Sequence, residues 1–571
     1  MPAADAGAVL ALVVIGVVVP AVLAGAFHVF SIPRNDDWAY RRDLWEFVRT
    51  GHMSFAGWGA MSLVGQILWG AMFAAVFGTH AWVPGAAVAV LATAGLAAAY
   101  GLGRLVLSRT AAVACVLVAL ALPGFALSTS SFMTDVPAFA ADVVCLAIGA
   151  AALRREGRAR WGWLVAALAV GCFGFSVREF DIAAPLAGIG ALALQDRRHR
   201  LTYALAATGL MVACGAIYWW AAHVPGAQNV PLALSAPVRF TKGLGNSYFT
   251  LSFGLTPLLP TVVRRYWPGF SARDLLAPIG ALAAGALLLA GDHTLFNGNY
   301  LLPQGATGAA VLTGRPALFP GAVWWALQLV ALVGGAGLAA VATTLSRPSL
   351  SSASSARLSY PRVLLVLFSV LTALFLCLFQ GLTKGTVFDR YLWPLGFSLA
   401  VLLLARRAVP SPRAPVTGPA LHARRRRTQA RGPTTAPPRL AVLLSTAVLA
   451  TVVAAVAAVI TLNADAYDAA RWSAGDKAVA AGVPATMVDA GFEWVGSHQP
   501  GVAVPGRRVP GNPFYETWYD QMFPAFAECA FASGNLVTLM SLKPLATVTY
   551  QELGFARPET IYVYLVRQPG C

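Results

Sequence analysis

The chain has 571 residues, of which 58% are apolar and 11% are charged, against roughly 25% charged residues in a soluble domain. This composition excludes a cytosolic enzyme, a disordered chain and a secreted disulfide scaffold, and it leaves a polytopic membrane protein. The formal net charge of +17 suggests a nucleic-acid partner, but residues 463–571 carry 7 Lys and Arg against 10 Asp and Glu. The basic excess therefore lies in short connections between apolar runs, as the positive-inside rule requires, and we expect no nucleic-acid binding.

Thirteen apolar segments predict membrane-crossing helices, because each approaches the ~20 residues that a helix needs to cross the hydrocarbon core. They are residues 8–30, 82–101, 111–128, 136–152, 161–176, 178–195, 202–221, 247–263, 275–291, 321–344, 363–380, 391–405 and 440–462. The first shows no small-residue cleavage site followed by a soluble domain, so we interpret it as a signal anchor. Arginines follow every second segment. This alternation predicts a multi-pass plasma (inner) membrane protein with a cytoplasmic N-terminus and an extracytoplasmic C-terminal domain.

The first predicted outer loop, residues 31–81, carries two features. Residues 37–50 place apolar and charged side chains at helical spacing, which predicts an amphipathic helix along the membrane surface. Residues 58–78 are apolar but rich in Trp, Gly and Gln. Counting them as a span would move every later basic loop outside, so we interpret them as interfacial or re-entrant.

Ionisable residues also mark the next two outer connections. Asp135 opens the fourth span, and Asp142 follows one heptad later on roughly the same helix face. Acids at this depth are costly unless they face a cavity or a partner, although Asp135 has the alternative role of a helix N-cap. Arg178, Glu179 and Asp181 lie in the third outer turn, where the alternative is a salt-bridged helix end.

Two cations lie on the predicted outer side of the membrane, where the positive-inside rule does not account for basic residues. Lys384 and Arg390 precede the twelfth span, and such a pair can bind an anion, since Arg offers a fork to phosphate oxygens and Lys a point charge. The alternative is that Asp389 and Arg390 pair with each other or with Glu179. With Asp36 and Asp135, the two cations suit a reaction in which a carboxylate activates a hydroxyl or amine while a phosphate departs.

The C-terminal part changes in composition. Residues 405–439 hold nine Arg and no acid, which predicts a disordered cytoplasmic linker, with contact to anionic membrane lipids as the alternative. Residues 463–571 predict a small α/β domain with a helix over 466–481 and strands over 535–540 and 561–566.

Several side chains of this outer domain bear on chemistry. Cys529 and Cys571 predict one disulfide in an oxidising compartment, and the alternative is two unpaired thiols. We interpret Glu493 as part of a structural turn, and the alternative is that its side chain contacts an acceptor. The eight His of the chain show no metal-ligand spacing, so we expect no tightly bound cofactor or metal, although a divalent cation stays an alternative.

Four motifs follow one another along residues 1–405 on the same predicted side of the membrane. They are Asp36-Asp37-Trp38-Ala39-Tyr40, Val76-Phe77-Gly78, Thr134-Asp135 and Asp389-Arg390-Tyr391-Leu392-Trp393-Pro394. In this order they resemble the GT-C fold glycosyltransferases of the family 39 type, which include protein O-mannosyltransferases and lipid A aminoarabinose transferases. The family usually has Asp-Glu at the first motif, and a Pro-Pro pair common in its interfacial segment is absent here.

The resemblance implies a GT-C transmembrane catalytic module over residues 1–404. It implies inverting transfer of a sugar from a polyprenyl-phosphate donor to a lipid, glycan or protein acceptor. By this resemblance, Asp36 is the first candidate for the catalytic carboxylate and Asp37 is the second. Asp135 would orient the acceptor or the sugar. The implied donor-phosphate residues are Arg390, Lys384 and Tyr391, and further pocket candidates are Tyr40, Arg178 and Glu179.

A transporter or flippase of a lipid-linked or polar substrate is the alternative class, because it also places ionisable residues near a membrane cavity. The chain shows no internal repeat with matched broken helices, and its acids cluster at loop ends rather than in the middle of spans. A sugar-polymer ligase or polymerase of a related fold is a third alternative, but it is not expected to carry the acidic pair of the first loop.

Overall fold

The computed structural model describes residues 3–59, 61–228, 232–266, 270–307, 314–346, 359–383, 385–405, 439–504, 522–523, 526–534, 543–552, 554 and 557–566. Most of them are helical, because a segment in lipid must satisfy its backbone N–H and C=O groups within itself. The helices are α1 (Ala3–Val13), α2 (Val19–Ala26), α3 (Asp37–Thr50), α4 (Val64–Phe77), α5 (Val83–Arg104), α6 (Arg109–Leu120), α7 (Phe125–Ser128), α8 (Asp135–Leu153), α9 (Gly157–Val177), α10 (Ala183–Gln195), α11 (Arg200–Ala222), α12 (Pro237–Leu255), α13 (Leu259–Tyr266), α14 (Leu276–Asp292), α15 (Gly321–Ser346), α16 (Tyr360–Thr383), α17 (Trp393–Leu404), α18 (Arg439–Ala480) and α19 (Phe492–His498).

Within the described ranges, nine helical segments are long and apolar enough to cross a membrane. They are Ala3–Ala26, Val83–Arg104, Asp135–Leu153, Gly157–Val177, Arg197–Ala222, Ala272–Asp292, Gly321–Thr344, Tyr360–Thr383 and Leu440–Ala480. Each coincides with a predicted span. The prediction of a helical polytopic membrane protein is therefore confirmed.

The other four predicted spans are helical but short or interrupted. Residues 111–128 divide into α6 and α7, and residues 247–263 are interrupted by a 3-10 turn at Thr256–Leu258 between α12 and α13. The remaining two, α10 and α17, each follow a 3-10 turn, at Glu179–Ile182 and Asp389–Leu392. These two turns carry site residues. Because α6, α10, α13 and α17 fall short of the ~20 residues of a full crossing, the total of thirteen crossings stays a prediction.

The first loop folds as two helices. The predicted amphipathic helix 37–50 is α3, with the same bounds, and its first turns are buried against α4 and α19. The interfacial stretch contains α4, which has 14 residues and is shorter than a crossing. Gly78 ends α4 with a φ of 78°, a backbone conformation that glycine adopts without a steric penalty.

The last helix is longer than predicted. The span 440–462 and the helix 466–481 form one continuous helix, α18, of 42 residues, which is roughly 60 Å long at 1.5 Å per residue. The two merge because residues 463–466 contain neither Gly nor Pro and so offer no helix break. The second half of α18 therefore extends from the bundle into the C-terminal domain.

A small sheet covers this second half of α18. Its strands are β1 (Val488–Asp489), β2 (Ala530–Ser533), β3 (Ala546–Glu552) and β4 (Arg557–Leu565), in the order β1-β2-β4-β3. β1 pairs with β2 in parallel, and β4 pairs antiparallel with both β2 and β3. The core between sheet and helix includes Tyr467, Ala474 and Trp494. The predicted α/β character of this domain is confirmed.

Several predictions concern residues beyond those described. The predicted strand at 535–540 lies outside the described residues, as do Lys384, Cys571 and positions 406–438 of the predicted linker. β4 includes residues 561–565 of the other predicted strand.

Candidate active site

Asp36 immediately precedes α3 and lies at one end of the helical bundle. Its Oδ1 atom accepts a hydrogen bond of 2.7 Å from the Trp58 indole N–H, and its Oδ2 atom lies 3.1 Å from Nη2 of Arg390. Asp36 retains 8% exposure and Arg390 retains 4%, so the ion pair is almost fully removed from solvent. The structure thus joins two motifs that are 354 residues apart.

The neighbouring acid, Asp37, faces a different environment. It is fully buried, and its Oδ1 atom lies 2.8 Å from Nε of Arg41 on the next turn of α3. Arg41 also donates to the backbone carbonyls of Ser31 and Ala81. Asp37 therefore helps to anchor the start of α3 to both ends of the first loop, whereas Asp36 faces the arginine.

Asp135 lies between two arginines. Its Oδ1 atom is 2.8 Å from Nη1 of Arg178 and 3.5 Å from Nε of Arg390. Arg178 also donates a hydrogen bond of 2.6 Å to the Thr134 hydroxyl. The residue at the N-cap of α8 is Thr134, so the capping alternative for Asp135 is wrong. Asp36, Arg390, Asp135 and Arg178 form what we call the aspartate–arginine cluster, which has no formal net charge.

Aromatic rings hold the two arginines of this cluster. The guanidinium carbon of Arg178 lies 4.4 Å from the Tyr391 ring centre, and that of Arg390 lies 5.3 Å from Phe388 and 5.5 Å from Tyr391. Cation–π contacts of this kind favour arginine over the more strongly hydrated ammonium of lysine. Nη1 of Arg390 is buried and has no hydrogen-bond partner in the described part of the chain, so it retains N–H groups for an anion.

Asp389 serves the backbone next to Arg390. Its Oδ2 atom accepts hydrogen bonds from the backbone N–H groups of Asn299, Tyr300 and Leu301, and its Oδ1 atom accepts from the N–H of Arg390. Burial nevertheless raises the pKa of the Asp389 carboxyl from 3.8 to about 6, because desolvation outweighs these four donors. Asp389 therefore ties the loop 299–301 to the turn that presents Arg390.

The other predicted site residues lie around this cluster. The Tyr40 hydroxyl is 3.1 Å from the Met61 sulfur, and Tyr40 is close enough to Asp36 and Arg390 to interact with their charges. Glu179 accepts a hydrogen bond of 2.7 Å from the N–H of Ser62. Lys384 lies outside the described residues.

Asp142 and Asp181 form a second acidic site, deeper in the bundle. Each is 3% exposed, and their charges interact with each other. Asp142 thus lies on the face of α8 that meets the turn Glu179–Ile182, while Asp135, one heptad earlier, meets the arginines.

A second group of buried ion pairs, which we call the domain-link cluster, was not predicted from the sequence, although one member, Glu493, was a candidate residue there. It consists of Arg34, Asp465, Asp468, Arg471 and Glu493. Arg34 pairs with Asp465 and lies 3.2 Å from Asp468, while Arg471 lies 3.3 Å from Asp468 and 2.8 Å from Glu493. Burial raises the pKa of Glu493 despite the neighbouring guanidinium. The spacing of Asp465, Asp468 and Arg471 on one helix face was a usable signal.

The cofactor and disulfide predictions stay predictions. In the described ranges, no group of three or more His, Cys, Asp or Glu side chains is arranged to hold a metal ion. Cys529 is disulfide-bonded, but Cys571 lies outside the described residues.

Comparison with known families finds one match. A profile of the family described as dolichyl-phosphate-mannose-protein mannosyltransferase matches residues 67–220. The matched region, about a quarter of the chain, contains Asp135 and Arg178 and excludes Asp36 and Arg390. This match confirms the predicted resemblance to GT-C glycosyltransferases. No curated protein sequence matches the chain.

Two solved structures are similar to the chain, both of ArnT from Cupriavidus metallidurans. The apo crystal structure is 13% identical over 96% of this chain and 97% of that chain, with a TM-score of 0.37. The structure bound to undecaprenyl phosphate is 15% identical over 68% of this chain and 76% of that chain, with a TM-score of 0.32.

Proposed function

We propose that the protein is a membrane glycosyltransferase that moves a sugar from a polyprenyl-phosphate donor to a hydroxyl or amine of an acceptor. The observation that carries this proposal is the aspartate–arginine cluster, in which a buried carboxylate lies 3.1 Å from an arginine that retains free N–H groups. The matched family supports it, because that family is described by a sugar carried on dolichyl phosphate.

The chemistry is a single displacement at the anomeric carbon. The acceptor oxygen or nitrogen forms the new bond while its proton passes to the Asp36 carboxylate, which acts as the general base. The bond between the anomeric carbon and the phosphate oxygen breaks at the same time, and the lipid phosphate leaves with the electron pair. Arg390 stabilises the negative charge on that phosphate through its N–H groups. A single displacement inverts the configuration of the sugar.

The remaining site residues support this step. Asp135 holds the two guanidinium groups in position, and the Tyr391 ring fixes the plane of Arg178. We assign Lys384 as a second contact to the donor phosphate, and Tyr40 and Glu179 to the walls of the pocket. Asp37 is the second candidate for the base, but its ion pair with Arg41 favours a role in anchoring α3.

We place the reaction on the extracytoplasmic face of the plasma membrane. α8 starts at the cluster with Asp135 and ends at Leu153, next to the arginine-rich connection 154–160. Since the positive-inside rule puts such connections in the cytoplasm, the cluster would lie outside. A lipid-phosphate donor suits that side, and we expect neither a nucleotide sugar nor a tightly bound metal. The acceptor is a lipid, a glycan or a protein of the cell envelope.

The test compares three proteins purified in detergent: wild type, Asp36→Asn and Glu46→Gln. Glu46 is the matched control because it lies on the same helix α3, almost three turns beyond Asp36, and its side chain is 40% exposed. Each is given radiolabelled polyprenyl-phosphate sugars and native membrane extract. We expect wild type and Glu46→Gln to transfer label to an acceptor, and Asp36→Asn to lose about 10²–10⁴-fold in rate while still binding donor.

Two outcomes would contradict the proposal in different ways. Full activity of Asp36→Asn would show that the base is wrongly assigned and would bring Asp37 or Asp135 forward. Failure of the wild type to bind or consume any donor would favour the transporter or flippase alternative.

A further inference from the structure

The C-terminal domain contacts the backbone next to Asp36. The Glu493 side chain, from the first turn of α19, accepts a hydrogen bond of 2.7 Å from the N–H of Asn35 through its Oε1 atom. Glu493 is 1% exposed, so it is placed to hold the chain and cannot present its carboxylate to a large acceptor. The alternative of an acceptor contact is thereby disfavoured.

Asn35 adopts a backbone conformation that needs support. Its φ is 56°, in the left-handed region that non-glycine residues visit rarely and that asparagine tolerates best. This conformation turns the chain just before Asp36 and so sets the direction of the Asp36 carboxylate. A bond to the Asn35 N–H therefore fixes the turn that aims Asp36 at Arg390.

Asn35 also reaches the arginine side of the cluster. Its side-chain amide lies 3.3 Å from the Asn299 side-chain oxygen, and the Asn299 N–H lies 3.2 Å from Oδ2 of Asp389. Asp389 in turn accepts the backbone N–H of Arg390. One chain of contacts thus runs from Glu493 through Asn35 to the backbone of Arg390, so a shift at Glu493 acts on both partners of the Asp36–Arg390 pair.

The neighbouring residue on α19 provides a second contact with the same loop. The Phe492 ring packs edge-on against Trp58, 5.4 Å between ring centres, and Trp58 donates its N–H to Asp36. Phe492 also packs against Trp38, 5.7 Å between centres. Gly496 permits this close approach, since a Cβ there would lie 2.3 Å from the Trp38 ring.

Arg471 holds Glu493 in place from the other side. Its guanidinium lies 2.8 Å from Oε2 of Glu493 and also donates to the carbonyl of Ala490. Arg471 is itself fully buried on α18. The two carboxylate oxygens of Glu493 therefore have separate partners, one on the long helix and one beside the proposed catalytic residue.

We propose that Glu493 is a positioning residue, which holds the Asn35 turn and so sets the position of the Asp36 carboxylate relative to Arg390. This inference rests on the proposed function for its effect on rate. It assigns to the C-terminal domain a direct part in assembling the site at the end of the bundle.

The test uses a series of variants that separates reach from charge. Glu493→Gln keeps an oxygen at the same reach for the Asn35 N–H but turns its amide NH2 group toward Arg471, which retains Asp468 and the Ala490 carbonyl as acceptors. Glu493→Asp keeps the charge but is one methylene too short for Asn35. If Glu493 positions Asp36, Glu493→Asp and Glu493→Ala lose about 10²-fold in kcat with little change in the KM for donor, and Glu493→Gln retains most of the wild-type kcat. The opposite order, with Glu493→Asp active and Glu493→Gln inactive, would overturn the proposal and leave only the ion pair with Arg471.

Amide hydrogen exchange gives a second readout that does not depend on transferase activity. We expect faster exchange in a peptide that covers residues 31–38 for Glu493→Asp and Glu493→Ala, and wild-type exchange for Glu493→Gln. Unchanged exchange in all three variants would overturn the proposal even if the wild type is an active transferase. If Glu493→Asp and Glu493→Ala exchange faster but the wild type has no transferase activity, the role of Glu493 in holding the Asn35 turn stands. Only the proposed function is then contradicted. If Glu493→Ala does not fold, the comparison of Glu493→Gln with Glu493→Asp still decides.

Discussion

Two clusters of buried acids and arginines lie on either side of Asn35, and they use the same side chains differently. In the domain-link cluster, Glu493 binds the N–H of Asn35 and Arg471 binds the carbonyl of Ala490, so these charges fix the main chain. Within the described part of the aspartate–arginine cluster, Asp36, Asp135 and the two arginines contact side chains, and Arg390 retains free N–H groups. Burial of charge alone therefore does not identify a reaction site. What distinguishes Glu493 and Arg471 from Asp36 and Arg390 is that the first two side chains bind backbone groups, whereas the last two contact other side chains.

Among variants that compare the two clusters, the largest expected effect comes from conservative arginine substitutions, one in each cluster. Arg390→Lys keeps the positive charge but loses the planar fork, so we expect kcat/KM to fall about 10²–10³-fold and the affinity for polyprenyl monophosphate to fall with it. Arg471→Lys lies in the domain-link cluster, and we expect it to leave polyprenyl monophosphate binding unchanged. Binding of the labelled lipid phosphate and transfer rates are measured on both variants.

Equal losses of lipid-phosphate affinity in Arg390→Lys and Arg471→Lys would contradict the assignment of phosphate binding to the aspartate–arginine cluster, because the two clusters would then contribute alike. Thermal unfolding of each purified variant controls for misfolding.

A smaller effect concerns stability. Arg34→Gln removes the partner of Asp465 and leaves this buried acid unpaired, while Asp468 keeps its contact with Arg471. An unpaired buried charge of this kind typically costs about 3–5 kcal/mol. The double variant Arg34→Gln/Asp465→Asn removes that acid as well, so we expect it to recover part of the loss. Unfolding in detergent, followed by intrinsic fluorescence, measures both variants. A double variant no more stable than Arg34→Gln would show that the unpaired charge is not the cause.

The sequence predicted local features of this arrangement well and distant ones poorly. The helix 37–50 follows from its own periodicity. The ion pair of Asp37 with Arg41 was not predicted, although the i, i+4 spacing of the two residues was a usable signal for it. The role of Glu493 could not be inferred, because its partner Asn35 is 458 residues away and nothing in the surrounding sequence indicates which loop it meets.

The position of Arg390 shows the same limit. Its motif was identified, and a pair with Asp389 was one alternative, but Asp389 instead accepts backbone N–H groups of residues 299–301. No motif marks that loop. The sequence assigned Asp36, Asp135 and Arg390 to one site, but Asp36 is 354 residues from Arg390, so only the packed fold shows that these two form an ion pair.

Asp389 combines features of both clusters, since it lies beside Arg390 yet binds backbone N–H groups as Glu493 does. Its pKa is raised from 3.8 to about 6 by burial, so the folded protein holds this proton more tightly than the unfolded chain. The resulting stability is fully present below about pH 4 and is lost as the pH rises through about 6. A rise of this size amounts to roughly 3 kcal/mol. We therefore expect the Tm of the wild type, relative to that of Asp389→Asn, to fall between about pH 4 and pH 7 and then to level off.

Thermal unfolding in detergent across this pH range measures the difference, with Glu46→Gln as the control for loss of an exposed acid. Parallel Tm profiles for the wild type and Asp389→Asn would contradict titration of Asp389 in this range. A loss of lipid-phosphate affinity in Asp389→Asn as large as that of Arg390→Lys would place Asp389 among the ligand-binding charges instead. If the pH dependence appears and the affinity is retained, Asp389 belongs with Glu493, because both acids then act by holding backbone in place beside the cluster that carries the chemistry.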